Sequence, residues 1–145
     1  MKLHQLSLFL ENRPGKVKVP VRILADAGIN IVTMTLADTQ QFGILRLVVK
    51  DWQKGREALE AAGIVVNVTE VIAIGVEDRP GGLMHVLDSI DRANLAIEYM
   101  YAFTSGLPGQ KAALIFRFED PDAAIRALTA AGISVVQGLD LFDRA

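Results

Sequence analysis

What most constrains the fold of this chain is that its sequence is written twice. Glu11-Asn12-Arg13-Pro14-Gly15 recurs as Glu77-Asp78-Arg79-Pro80-Gly81, 66 residues later. Ala27-Gly28-Ile29-Asn30-Ile31 answers to Ala93-Asn94-Leu95-Ala96-Ile97 at the same offset. Residues 41–51 align with 110–120 at an offset of 69, which persists through Ala61-Ala62-Gly63-Ile64 and Ala130-Ala131-Gly132-Ile133. The second copy therefore holds three extra residues between Ala102 and Gln110, where Thr104 to Gly109 reads as a longer hairpin turn. The unit is too long for a solenoid repeat, so the pattern is a domain duplication, with predicted domains 1–68 and 69–145.

Units of about 70 residues lie near the lower limit at which one hydrophobic core suffices. Each is expected to gain stability by packing on its twin or on another chain. The material for this is present, since 51% of the residues are hydrophobic and the mean hydropathy is +0.32. A homodimer is the expected assembly.

Each copy reads as β-α-β-β-α-β. Residues 3–10 and 69–76 are apolar or rich in β-branched residues and predict first strands. A Pro-Gly loop and a helix follow. In the second copy Leu83, Val86, Leu87, Ile90 and Ala93 recur at helical spacing. In the first copy Val17, Val19 and Val21 alternate as in a strand, but Val17, Val21 and Leu24 align with Leu83, Leu87 and Ile90. A helix is therefore predicted there too, with Pro20 either near its start or kinking it.

Second strands are predicted over 30–37 and 96–103, after helix ends at Gly28 and Asn94, and third strands over 43–49 and 112–118. Asp51 and Asp120 read as N-caps of second helices, with Pro121 at the first helical position. Gly63 and Gly132 read as C′ glycines. Short last strands are expected over 64–68 and 134–137. The fold class is α+β: two tandem ferredoxin-like units, each an antiparallel sheet with its helices on one face.

Composition excludes several functions. With no cysteine, disulfide scaffolds, thiolate metal sites and cysteine nucleophiles are absent. A net charge of −2 and scattered Lys and Arg give no footprint for nucleic acid. The βαββαβ order also underlies RNA-recognition folds, but the third strand, Ala112-Ala113-Leu114-Ile115-Phe116-Arg117-Phe118, lacks their basic-Gly-aromatic-Gly lead-in. No apolar run approaches a membrane span and no signal core precedes the first strand, so a soluble cytoplasmic protein is expected. No Ser/His/Asp set or tight carboxylate pair emerges, and Glu11, Asp26, Asp91 and Glu119 read as solvated surface. His85 and Asp88 have helical spacing compatible with a shared metal, but an exposed helix face is the simpler reading. No catalytic residue, metal or cofactor is expected.

The repeated loop is where chemistry is expected. Asn/Asp-x-Pro-Gly between a strand and a helix can present backbone N–H groups to a small anion. Equally, it can be a turn that merely needs Pro and Gly.

Residues 5–49, with the Asn12-Arg13-Pro14-Gly15 loop and Gly28-Ile29-Asn30-Ile31, resemble an ACT domain, a small module that senses amino acids. The second half resembles another, so the likeness covers nearly the whole chain as a stand-alone pair. The pattern is especially similar to the serine-sensing domain of phosphoglycerate dehydrogenase. The resemblance implies that ligands sit at an interface between paired units. Loop residues Asn12, Arg13, Pro14 and Gly15 would supply backbone amides and the Asn side chain, and Asn30 at strand two would come from a neighbouring unit.

The serine-sensing pattern has a His two residues before the loop Asn, where Leu10 and Val76 stand here. In the second copy Asp78 replaces the loop Asn and Ala96 the strand Asn, so the two sites need not be equivalent. A crossed arrangement is expected: the first loop meeting Ile97, and Asp78, Pro80 and Gly81 meeting Asn30 and Ile31. Asn30 can instead satisfy local backbone, and Glu98, Tyr99 and Tyr101 can be ordinary sheet surface. The function implied is a non-catalytic regulator that binds a free amino acid and signals to a partner metabolic enzyme. The alternative is a subunit of such an enzyme that needs no ligand.

Overall fold

The computed structural model describes residues 2–38, 41–107 and 111–138. Contacts divide the chain into two compact units: His4–Thr69, and Glu70 onward together with Lys2 and Leu3. Among the described residues there are six strands and four helices, in the order β1 (Leu3–Glu11), α1 (Lys18–Asp26), β2 (Ile31–Asp38), β3 (Phe42–Val49), α2 (Trp52–Ala61), β4 (Asn67–Glu77), α3 (Gly82–Arg92), β5 (Ile97–Leu107), β6 (Lys111–Phe118) and α4 (Pro121–Ala130). None of these helices is long and apolar enough to cross a membrane.

In the first unit β3 lies between β1 and β2 and is antiparallel to both, with Leu6 opposite Leu47 and Leu36 opposite Leu45. Side chains alternate across a strand. Leu6 and Leu8 therefore share a face with Leu45 and Leu47, and this face meets Leu24 of α1 and Leu59 of α2 in one buried cluster. The second unit repeats the plan, with β6 between β4 and β5. Ile72 and Ile74 of β4 and Leu114, Phe116 and Phe118 of β6 cluster with Val86 and Ile90 of α3 and Leu128 of α4. Both units thus carry both helices on one face of an antiparallel sheet, as expected.

Local chemistry sets the helix ends. Asp51 and Asp120 accept hydrogen bonds from the N–H groups of Lys54 (3.1 Å) and Ala123 (3.0 Å), each three residues on. These are the predicted N-caps, and Pro121 opens α4. Replacing Asp120 by alanine strands that donor and is expected to cost about 1 kcal/mol, read from the shift in urea midpoint at constant slope. At the C-termini, Gly63 and Gly132 take φ of 84° and 77°. The next N–H reaches back to close the turn, from Ile64 to the Leu59 carbonyl (3.1 Å) and from Ile133 to Leu128 (2.9 Å). Asn94 takes the same role at φ 55°, as a short polar side chain allows.

Pro20 lies at the third helical position of α1, near its start rather than in its interior. With no N–H, it cannot donate to the carbonyl of residue 16. The backbone ladder starts late, at the 3.5 Å bond from Val21 N–H to the Val17 carbonyl. The equivalent α3 begins two repeat positions earlier, with His85 N–H bound to the Gly81 carbonyl.

Three expectations need correction. The predicted strand over 64–68 is not a separate element: residues 64–66 are irregular and β4 runs unbroken from Asn67 to Glu77. The run from Asn67 to Val76 contains no turn residue pair to interrupt it, and its β-branched content favours continuation. The strand predicted over 134–137 shrinks to one antiparallel bridge, Ile74 with Val135. Finally, the hairpin turn expected from Thr104 is strand as far as Leu107. A register shift between Thr104 and Leu107 absorbs part of the added length, and residues 108–110 lie outside the described residues.

One ion network involves the chain's first residues. The Lys2 ammonium lies 2.8 Å from Glu70 and 3.3 Å from Asp122. Hydrogen bonds to these two carboxylates hold its pKa above the ordinary lysine value.

Candidate functional site

The repeated loop follows β1 in one unit and β4 in the other, and it is built the same way twice. The N–H of Arg13 turns back to the Glu11 carbonyl at 2.8 Å, and that of Arg79 to Glu77 at 2.9 Å. The guanidinium of each arginine is ion-paired with the glutamate two residues before it. Arg13 thus lies in the predicted loop, but its charge is already compensated. Gly15 and Gly81 both adopt positive φ, 84° and 85°, which explains a glycine after each proline.

The helices that follow differ from the other two in one respect. Neither α1 nor α3 has a side-chain cap, because Val17 and Gly81 occupy the cap positions. The first-turn N–H groups of a helix have no intrahelical partner, and Asp51 and Asp120 supply one for α2 and α4. Among the described residues, the uncapped helix starts are those behind the Pro-Gly loops.

Each loop also borders a pocket, and the two pockets occupy equivalent places. In the second unit a cavity of about 400 Å³ lies between the end of β4, the start of α3 and the turn after α4, including Glu77, Gly82, His85 and Ser134. In the first unit a cavity of about 570 Å³ lies between the end of β1, the start of α1 and the turn after α2, including Glu11, Lys16, Val19 and Val65. Both volumes fall within the roughly 300–1,000 Å³ of small-molecule sites. The turns at 63–65 and 132–134 were not among the predicted site residues. Their positions in the aligned repeat were visible, but their approach to the loops is a tertiary fact.

The predicted strand residues lie elsewhere. Asn30 and Ile31 stand at the start of β2, and Ile31 pairs with Val49 at one end of β3. Glu11, next to the loop, pairs with Phe42 at the other end. Seven residues of strand separate these ends, roughly 23 Å. In the second unit Ile97 pairs with Phe118 while Glu77 pairs with Lys111, again at opposite ends of β6. Of the predicted loop residues, Gly81 lines the second unit's cavity, whereas Asp78 and Pro80 are not in that lining and Asn12, Arg13, Pro14 and Gly15 are not in the first unit's. The structure does not bring Asn30, Ile31 or Ile97 to the loop of their own unit. A further cavity of about 540 Å³ lies near the start of β5, lined by Ala96, Phe118, Asp120 and Pro121 among others.

Among the described residues, no group of three or more His, Cys, Asp or Glu could hold a metal. Asp88 does not line the cavity that His85 borders.

Comparison with known proteins agrees with this architecture. Protein BT0572 from Bacteroides thetaiotaomicron is 33% identical, with a TM-score of 0.90 over 98% of this chain and 96% of that one. The ligand-free regulatory subunit of aspartate kinase from Thermus thermophilus is 20% identical, with a TM-score of 0.61 over 89% of this chain and 92% of the other. The corresponding subunit from Thermus flavus is 18% identical, with a TM-score of 0.58 over 90% and 92%. At these identities the two kinase subunits establish a shared fold alone. No curated protein matches the chain. The family model for the ACT domain pair matches residues 1–144. Two ferredoxin-like units, a repeated Pro-Gly loop in each and this match over nearly the full length lead to one assignment: the chain belongs to the ACT domain pair family.

Proposed function

We propose that this ACT pair is a non-catalytic regulatory protein that binds a free amino acid at its Pro-Gly loops and passes its ligand state to a partner metabolic enzyme. The observation that carries the reading is the coincidence, in both units, of a pocket with an uncapped helix start. A free amino acid is a zwitterion. Its carboxylate needs N–H donors, which a helix start provides, and its ammonium needs oxygen acceptors, which Asn12 or Asp78 can supply. The family and the regulatory kinase subunits that share its fold support a sensing role.

The proposed domains remain 1–68 and 69–145, and a homodimer remains the proposed assembly. Because loop and strand-two residues lie at opposite ends of each sheet, Asn30, Ile31 and Ile97 take part in a loop site only if another ACT unit supplies them. Regulation then follows if the ligand binds two arrangements of the units with different affinity.

Calorimetric titration of the purified protein with each of the twenty amino acids tests the proposal. At least one is expected to bind, and Asp78→Ala and Asn30→Ala are expected to weaken it. Affinity unchanged in both variants would remove these residues from the site.

A second reading has its own support. The first unit's pocket is bordered by Phe9, Val19 and Val65, which are 64%, 52% and 78% exposed. Exposed apolar residues grouped in one place mark contact surfaces. A ligand-independent subunit docking through this region would give flat titrations with all twenty amino acids.

A further inference from the structure

We infer that the second unit's pocket reads the side chain of its ligand through His85 and Ser134, and that the ligand is an amino acid with a short hydrogen-bonding side chain: hydroxyl, amide or carboxylate. This rests on the amino-acid-binding reading above and deepens it.

The duplication supplies an internal control, because every residue lining the first pocket has its repeat equivalent in the lining of the second, which adds Arg79 and Gly81. Much of the frame is kept in kind: Glu11 answers to Glu77, Leu10 to Val76 and Ile64 to Ile133. Five lining positions change in kind: Lys16 becomes Gly82 and Pro20 becomes Val86, and at the other three an apolar side chain is removed or replaced by a hydrogen-bonding one. Phe9 becomes Gly75, Val19 becomes His85 and Val65 becomes Ser134. A large apolar residue gives way to none, and two valines give way to groups that hydrogen-bond. His85 on α3 and Ser134 on the turn after α4 border one cavity, where a polar ligand group can meet both.

The two polar residues are held in place by backbone. The Ser134 carbonyl accepts from Gly75 N–H at 3.0 Å, which fixes the turn against β4. His85 sits one turn into α3, its N–H bound to the Gly81 carbonyl at 3.3 Å, while its own carbonyl accepts from the Ser89 hydroxyl at 3.1 Å. Arg79, the nearby cation, is ion-paired with Glu77. A neutral imidazole offers one donor and one acceptor, and a hydroxyl offers both. Together they can satisfy a hydroxyl, an amide or a carboxylate. An aliphatic side chain would strip water from both without replacing it, and sites built to hydrogen-bond their ligand discriminate strongly against such analogues.

The test uses the full chain and the same twenty titrations, followed by variants that restore the first unit's residues. The tightest ligand is expected among amino acids with short hydroxyl, amide or carboxylate side chains. His85→Val and Ser134→Val are each expected to weaken it roughly tenfold, about the worth of one hydrogen bond. His85→Gln, which keeps a donor and an acceptor, should retain most of the affinity. Both second-unit positions are exposed, so the variants should melt as the parent does by circular dichroism. An aliphatic amino acid as tightest ligand, or undiminished binding in His85→Val and Ser134→Val, overturns the inference and leaves amino-acid sensing standing. Twenty flat traces overturn both.

Discussion

Truncating Phe116 to alanine is expected to destabilise the protein by about 3–5 kcal/mol, the range for losing a buried aromatic side chain. Phe116 is fully buried on β6, opposite Ile72 on β4 and Met100 on β5. Its ring lies 5.6 Å from that of Phe118, within 4° of parallel. Removing it forfeits the transfer free energy of the ring and leaves a void that sheet and helices close only in part. Against a total stability of about 5–15 kcal/mol for a domain, such a loss leaves the second unit marginal. Urea denaturation followed by far-UV circular dichroism measures the effect. Trp52, the only tryptophan, stacks on His4 at 4.4 Å in the first unit, so its emission reports that unit in the same experiment. A loss below about 1 kcal/mol would contradict the packing described.

Gly82→Ala is expected to disturb the second Pro-Gly loop by about 1–3 kcal/mol, the usual penalty for forced overpacking, and to weaken amino-acid binding there more than tenfold. A β-carbon at this position would collide with the backbone carbonyl oxygen of Glu77 and press on Val76. That carbonyl also accepts from Arg79 N–H at 2.9 Å, so it cannot withdraw without opening the turn. The first unit tolerates a side chain at the equivalent Lys16, where α1 has not yet begun. Lys16→Ala is therefore expected to stay within about 0.5 kcal/mol of the parent. Equal melting curves for the two variants would show that the loops do not differ as described.

The contrast between these glycine and lysine positions illustrates what sequence could and could not reveal. Features decided within a few residues were legible: the Asp51 and Asp120 caps, the turns after Gly63 and Gly132, and the Pro-Gly loops themselves. Pro20 was legible as an exception but not as a position, because its place in α1 depends on where the hydrogen-bond ladder can start. The last strand of each unit was misjudged because pairing partners, not β-propensity, decide whether such a short segment is a strand. Val135 pairs through one bridge, and Asn67 is drawn into β4. His85 looked like a residue on an ordinary exposed helix face. Its companion across the cavity, Ser134, is 49 residues away in sequence, and only folding places both beside the loop.

The most direct test of the central claim is a crystal structure of the full chain grown with its tightest-binding amino acid. The ligand carboxylate is expected on the first-turn N–H groups of α3, beside Asp78, Pro80 and Gly81. A ligand bound away from both Pro-Gly loops, with the loops unchanged, would contradict the account.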